Sequence, residues 1–199
     1  MILSLHPETP QMRHLERIGE VLRQDGVIAY PTDTLFGLGC LASRKKAVDR
    51  IQALKGRDPK KPLSMLCADM GMLCRYARTL DGPAFRTLKQ LLPGPYTVVL
   101  PASREVPRYL QNKQTVGLRI PDHPFCQALT HLLGEPILTR SYAPVDTPLN
   151  TSWEIEDELG HALDLVVDCG QPLGVPSTVL DMTGEEPVLL REGAGPWPV

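Results

Sequence analysis

The chain has 199 residues, enough for one domain that buries roughly 70% of its unfolded surface, and we predict a single domain over residues 1–199. A formal net charge of −2 excludes a protein that coats a polyanion over its whole surface. The N-terminus lacks the basic and apolar regions of a signal peptide, and no apolar run is long enough to span a bilayer. We therefore expect a cytoplasmic protein without a membrane partner. Five scattered cysteines without C-x-x-C spacing predict reduced, buried thiols and no metal site.

Short apolar runs bounded by Pro or Gly alternate with helical patterns along the chain. In chain order, strands are predicted at residues 2–5, 27–30, 63–67, 96–100, 116–120, 136–139, 165–168, 178–182 and 188–191. Helices are predicted at residues 12–22, 47–54, 70–77, 83–92 and 125–133. A further helix follows Ser152, which we expect to be its N-cap. Interleaved strands and helices with a strand-rich end predict an α/β fold with a twisted mixed sheet.

The strand at 27–30 is stopped by Pro31, which begins a short polar stretch. Its end should expose Thr32, Asp33 and Thr34. Such a cluster of hydroxyl groups at a strand end is one predicted wall of an anion-binding site.

The second predicted wall is a basic loop. Residues 44–61 hold eight Lys or Arg against two Asp, a local excess of six positive charges. Lys55, Arg57, Lys60 and Lys61 follow the helix at 47–54, and an intervening Gly and Pro keep them out of it. A lysine at the C-terminus of a helix is electrostatically favoured in any case, so Lys55 also has a purely structural explanation.

Strand ends elsewhere in the chain deliver a hydroxyl or a guanidinium group. Thr32, Arg119, Ser141, Ser177 and Arg191 all lie at or just beyond an apolar run, where open α/β sheets bind ligands. An arginine inside an apolar strand, such as Arg119, needs a carboxylate partner or an anionic ligand, because an unpaired buried charge is costly. Together these residues predict a common anionic ligand.

Six motifs occur in a characteristic order: YPTDT-x-x-GLGC, LKGRDPKKPL, PGPYTVVL, VGLRIPDHP, PSTVLD and LLREG. They resemble the YrdC-like family of threonylcarbamoyl-AMP synthases over nearly the whole chain, with features of its YciO branch. The resemblance implies a twisted α/β fold with a deep, positively lined cavity. It also implies conversion of L-threonine, bicarbonate and ATP to threonylcarbamoyl-AMP and diphosphate, a step toward a modified adenosine in tRNA.

The resemblance also implies roles for the candidate residues. Thr32 would contact the amino-acid or carbamate group, and the catalytic pair Lys55 and Arg57 would bind phosphate and carboxylate groups. Lys60 and Lys61 would add positive charge. The remaining nucleotide and substrate contacts would come from Arg119, Ser141, Ser177 and Arg191. ATP would enter with Mg²⁺ as the substrate complex, and no permanent cofactor is expected.

One tripeptide departs from the synthase pattern. Synthases of this family carry Ser-x-Asn after the strand at 136–139, whereas this chain has Ser141, Tyr142 and Ala143. The carboxamide that would help to hold phosphate and Mg²⁺ is absent, and a bulky tyrosine enters the same turn. Two alternatives therefore remain open: a protein that binds double-stranded RNA or tRNA through the same positive cavity, and an adenylate-handling hydrolase.

Overall fold

The computed structural model describes residues 1–54, 63–112, 114–142 and 151–197. The strands in these ranges are β1 (Ile2–Ser4), β2 (Ile28–Tyr30), β3 (Gly37–Leu41), β4 (Ser64–Leu66), β5 (Tyr96–Pro101), β6 (Thr115–Arg119), β7 (Ile137–Ser141), β8 (Leu165–Asp168), β9 (Thr178–Asp181) and β10 (Val188–Arg191). The α-helices are α1 (Met12–Arg23), α2 (Lys45–Ala53), α3 (Met70–Tyr76), α4 (Gly82–Leu91), α5 (Pro124–Leu133) and α6 (Ser152–Leu159). All the strands and helices predicted from the sequence are present, and β3 is an additional strand.

These strands form one sheet in the order β1-β8-β2-β3-β7-β4-β6-β5-β9-β10. The pairs β1/β8, β8/β2, β4/β6 and β5/β9 are parallel. The other neighbouring pairs are antiparallel. The predicted α/β class and mixed sheet are confirmed.

One face of the sheet is covered by α2, α3, α4 and α6. Side chains that alternate toward this face, such as Leu38, Val98, Leu118 and Val166, form the larger hydrophobic core with the apolar faces of these helices. The burial of this face explains why the strands read as apolar runs in the sequence.

The opposite face is divided. Helices α1 and α5 contact each other and cover the half that contains β8, β2, β3 and β7, where Ile28, Tyr30 and Ile137 pack against Leu15, Ile18 and Phe125. These residues form the smaller hydrophobic core. In the described ranges, neither helix extends over the half formed by β6, β5 and β9. A concave surface is therefore left on this side of the sheet.

Two glycines of β3 make room for a tyrosine ring of β2. A Cβ atom at Gly39 would lie 2.6 Å from Cε1 of Tyr30 and 2.8 Å from Cγ2 of Ile137, and one at Gly37 would lie 2.8 Å from Oγ1 of Thr139. Tyr30 is fully buried. The GLGC motif is thus a strand whose glycines allow close packing, rather than a nucleotide-binding turn.

The N-cap predicted for the last helix was displaced by one residue. Thr151, not Ser152, caps α6: its hydroxyl accepts a hydrogen bond from Glu154 N at 3.2 Å, and Glu154 Oε2 accepts one from Thr151 N at 3.0 Å. This reciprocal pair is a capping box, which satisfies two backbone donors at once. The sequence contains both residues of the motif, so the correct position was available from the spacing alone.

The cysteine prediction was correct for four of the five thiols. Cys40, Cys67, Cys126 and Cys169 are buried and free, whereas Cys74 is free but exposed on α3. Burial raises the pKa of Cys40 to about 12 and raises the pKa values of the other buried thiols. None of the helices in the described part of the chain is long and apolar enough to cross a membrane.

Candidate functional site

A cavity of about 570 Å³ lies over the half of the sheet that α1 and α5 leave open. Its base is made by residues that alternate toward this face: Ser64 and Val99 lie on either side of Gly117 in the sheet. Because Ser64 has a small side chain and Gly117 has none, a ligand could approach the backbone of β4 and β6 closely.

Arg119 stands at the end of β6 in this cavity and is only 4% exposed. Its Nη2 donates to Asp33 Oδ1, and Oδ2 of the same carboxylate accepts a hydrogen bond from Asp122 N at 3.2 Å. The sequence required a carboxylate partner or an anionic ligand for Arg119, and the structure provides the carboxylate of Asp33. Nε of Arg119 is buried and has no hydrogen-bond partner among the described residues.

Another wall is formed by a hydrogen-bonded group of residues from three strands or their ends. Arg191 donates to the carbonyl of Ser177 from Nε at 3.1 Å and from Nη2 at 2.7 Å, and Nη2 lies 3.2 Å from Ser177 Oγ. Ser177 Oγ is 2.9 Å from Thr97 Oγ1. All three residues line the cavity. This network fixes two hydroxyl groups beside a guanidinium.

The electrostatics of this wall favour an anion. Burial lowers the pKa of Arg191, and the nearby Arg119 lowers it further. The second effect is the repulsion of two cations that face the same space. A negatively charged group between Arg119 and Arg191 would relieve this repulsion.

The prediction that the end of β2 exposes its polar residues was wrong. Thr32 and Thr34 are 3% and 0% exposed, and the Asp33 side chain is turned to Arg119. The hydroxyl of Thr32 donates to Leu35 O at 2.8 Å and accepts from Thr34 N at 3.1 Å. A threonine side chain readily bonds its own turn in this way. Thr32 is not among the described residues that line the cavity, whereas Leu35 of the same loop is.

Ser141 ends β7, lines the cavity and is exposed, so the structure places it with Arg119, Ser177 and Arg191. Tyr142, the next residue, does not enter the cavity. It is 6% exposed, belongs to the larger core and donates its hydroxyl to Glu158 Oε1 on α6. The bulky side chain expected in this turn is therefore accommodated away from the ligand space.

The predicted basic residues Lys55, Arg57, Lys60 and Lys61 lie outside the described residues, and so does Ala143. Leu63, the first described residue after the basic segment, lines the cavity. The proposed contribution of the basic loop stays a prediction.

Several residues of the site were not identified from the sequence. Asp33 was read as an exposed strand-end residue, and Ser64, Thr97, Thr115 and Gly117 were not assigned to the site. The sequence of β6 contained a signal for some of these residues. Every second position of this otherwise apolar strand is polar or glycine, namely Thr115, Gly117 and Arg119. Such a polar or small face on an otherwise buried strand indicates a ligand-facing surface.

These features define an α/β protein with a cavity, lined by Arg119 and Arg191, on one half of an open sheet face. The profile of the Sua5/YciO/YrdC family, described as telomere recombination, matches residues 20–193. The chain belongs to this family, as its motifs predicted.

Two solved structures of the family have closely similar folds. Escherichia coli YciO superimposes with a TM-score of 0.92 at 36% identity, over 98% of this chain and 97% of YciO. P. abyssi Sua5, crystallised in complex with L-threonine, superimposes with a TM-score of 0.88 at 31% identity, over 97% of this chain and 57% of Sua5.

A relative with a named activity is the threonylcarbamoyl-AMP synthase of Bacillus subtilis. It is 37% identical over 181 residues, which make up 87% of this chain and 51% of the synthase. The chain therefore spans about half the length of that enzyme and nearly all of YciO.

Proposed function

We propose that the protein binds an adenine nucleotide and L-threonine in the cavity and acts as a threonylcarbamoyl-AMP synthase in tRNA modification. The observation that carries the proposal is the convergence of Arg119, Ser141, Ser177 and Arg191 on one cavity, although they lie up to 72 residues apart in the chain. The synthase activity of the Bacillus subtilis relative and the threonine bound by P. abyssi Sua5 support the choice of substrates.

The size and polarity of the cavity suit a nucleotide. A volume of about 570 Å³ falls within the 300–1,000 Å³ range typical of small-molecule sites. Arg119 and Arg191 supply two guanidinium groups to the lining, and Leu110, Val116 and Val179 supply apolar side chains. Phosphate and carboxylate groups would bind the guanidinium groups, and a base or sugar would contact the apolar side chains.

The proposed reaction needs orientation and charge stabilisation more than a protein nucleophile. The amine of threonine and bicarbonate give a carbamate and water, and a carbamate oxygen then attacks the α-phosphorus of ATP to displace diphosphate. Arginines that hold the anionic groups would align the two reactants and stabilise the charge that develops on the phosphate oxygens. Lys55 and Arg57 would contribute further cations, and Mg²⁺ would enter as part of the ATP substrate.

The test is diphosphate release from ATP by purified protein, with threonine and bicarbonate each omitted in turn. We expect release only when both are present, together with threonylcarbamoyl-AMP detected by mass spectrometry. Arg191→Ala should reduce the rate. Arg104→Ala, which removes an exposed arginine that is not among the described lining residues, should leave the rate unchanged.

Other outcomes would replace the proposal. AMP release that needs no threonine would identify a hydrolase. Absence of synthesis together with RNA binding that weakens steeply with salt would favour the RNA-binding alternative, because each neutralised phosphate releases counterions.

A further inference from the structure

A loop crosses the open sheet face between the smaller core and the cavity. Residues 31–36 connect β2 to β3. In the sheet, β3, β7 and β4 lie between β2 and β6, but the carboxylate of Asp33 in this segment reaches Arg119 at the end of β6. We define residues 31–36 as the crossing loop. Leu35 of this loop lines the cavity, so the loop forms part of its wall.

Among the described residues, the crossing loop is attached at four points, one of which is Phe36 O, which accepts a hydrogen bond from Tyr142 N at 2.8 Å. Asp33 bonds Arg119 and the backbone N–H of Asp122. Thr34 O accepts a hydrogen bond from Gly174 N at 2.9 Å, and Pro31 O lies 3.5 Å from the thiol of Cys126 on α5. Of these attachments, only that of Asp33 involves charged groups. Its partner Arg119 lines the cavity.

The carboxylate of Asp33 fixes one side of the guanidinium of Arg119. The two side chains are 10% and 5% exposed, so the pair has little contact with water. With Nη2 occupied by Asp33, Nε of Arg119 remains a buried donor without a partner in the described part of the chain. A guanidinium that is held in this way can present its remaining donors in one fixed direction.

We propose that Asp33 is a positioning residue that orients the Arg119 guanidinium toward an anionic oxygen group of the bound substrate. This inference rests on the proposed function and extends it to a residue that does not itself line the cavity. The competing explanation is that Asp33 only neutralises a buried cation. The two explanations give opposite results, because removing a neutralising carboxylate raises the local positive potential and should tighten anion binding.

The anion that Arg119 holds has two possible sources, a phosphate of the nucleotide or the carboxylate of threonine. Both are anionic oxygen groups that can accept paired N–H donors from a guanidinium. Titration calorimetry with AMP and, separately, with L-threonine distinguishes them. The ligand whose affinity falls in the Asp33 variants is the one that Arg119 holds, and a fall for both would mean that Arg119 contributes to both subsites.

Two substitutions of Asp33 make the test. Asp33→Asn keeps the shape but loses the charge, and Asp33→Glu keeps the charge but displaces the carboxylate by one methylene. We expect both to weaken binding of the Arg119-held ligand by about 10- to 100-fold, the effect of a lost charge-assisted hydrogen bond. Asp122→Asn is the matched control, because it removes an exposed neighbouring carboxylate and should leave the affinity within about twofold.

A double-substitution cycle separates positioning from a general effect on folding. In an Arg119→Met background, Asp33→Asn should cause less than about a twofold further change, because Asp33 acts through Arg119. Circular dichroism establishes that each variant is folded. Asp33→Glu retains the buried ion pair and gives the answer if Asp33→Asn does not fold.

Unchanged or tighter binding in a folded Asp33→Asn or Asp33→Glu protein would overturn the inference. A full effect of Asp33→Asn in the Arg119→Met background would overturn it as well. Wild-type protein that binds neither AMP nor L-threonine would instead overturn the proposed function, and this inference with it.

Discussion

Arg191 and Ser177 are joined by three hydrogen bonds from one guanidinium to one serine. Two of them end on the carbonyl oxygen of Ser177, at 3.1 Å and 2.7 Å, and the third reaches its hydroxyl at 3.2 Å. The guanidinium lies on the edge strand β10, so this contact brings the margin of the sheet into the wall of the cavity. Ser177 Oγ is thereby held between Arg191 and Thr97.

Arg191→Ala should weaken the binding of AMP by about 1.5 to 3 kcal/mol, the value of a hydrogen bond to a charged group. The melting temperature should also fall, because the substitution removes hydrogen bonds to the buried Ser177, each worth roughly 0.5 to 1.5 kcal/mol. Calorimetry and thermal unfolding by circular dichroism measure the two effects. Arg104→Ala is the control for removal of an exposed arginine. Unchanged affinity of Arg191→Ala would remove this guanidinium from the site.

Ala143→Asn should raise the rate of threonylcarbamoyl-AMP synthesis by up to about 10² in single-turnover assays. The physical reason is the restoration of a preorganised polar contact to phosphate, whose loss commonly costs roughly 10² to 10³ in rate. The adjacent Tyr142 should be left intact, because it is buried in the larger core. Tyr142→Ala would cost about 3 to 5 kcal/mol of stability and obscure the result. A rate that Ala143→Asn does not change, with nucleotide binding intact, would favour the hydrolase or RNA-binding alternative.

Gly39→Ala should lower the free energy of unfolding by about 1 to 3 kcal/mol, the usual cost of overpacking a core. The added Cβ atom would lie 2.6 Å from the buried ring of Tyr30. Gly82→Ala is the matched control, since its Cβ would meet only the flexible end of Arg86, at 3.5 Å. Urea unfolding measures both variants. Equal stabilities would show that Tyr30 can move without cost.

Alkaline pH should destabilise the fold, and Cys40 should contribute to the effect. Burial raises the pKa of Cys40 from 9.0 to about 12. Between these values the folded protein binds a proton that the unfolded chain has lost, so the free energy of unfolding falls as pH rises. Urea unfolding at pH 8 to 10 should show a shallower fall for Cys40→Ala than for wild type. Cys74→Ala, at an exposed position, should have a smaller effect on the slope.

The sequence predicted the elements well because their signals are local. The strands at 27–30 and 116–120 are apolar runs with proline stops, and the structure contains both. The strand β3 was missed because Gly37 and Gly39 lower its apparent strand propensity. Glycine is needed at these positions because the ring of Tyr30, on another strand, packs against them. Contacts of this kind depend on the sheet order, which residue patterns do not specify.

The predicted and the missed residues of the site also differ in whether their signals are local or depend on the sheet order. Arg119 and Arg191 were predicted as site residues because a cation beside an apolar run is unusual, and both line the cavity. Asp33 was predicted to be exposed because no residue pattern near it in the sequence indicates a partner 86 residues away. Thr32 was predicted to face a ligand, whereas its hydroxyl bonds its own turn. Local hydrogen bonding of this type competes with every proposed ligand contact of a threonine.

The contacts that build the cavity have a consequence for biosynthesis of the protein. Asp33 and Arg119 are 86 positions apart, and Thr97 and Ser177 are 80 apart. Arg191 joins Ser177 only from β10, the last strand of the described residues. A chain emerging from the ribosome can therefore complete helices α1 to α5 without possessing the anion site. Since contacts between distant residues close late, ligand affinity should appear only when synthesis has passed Arg191. Nucleotide binding by ribosome-bound chains of increasing length would then mark the final step of sheet assembly.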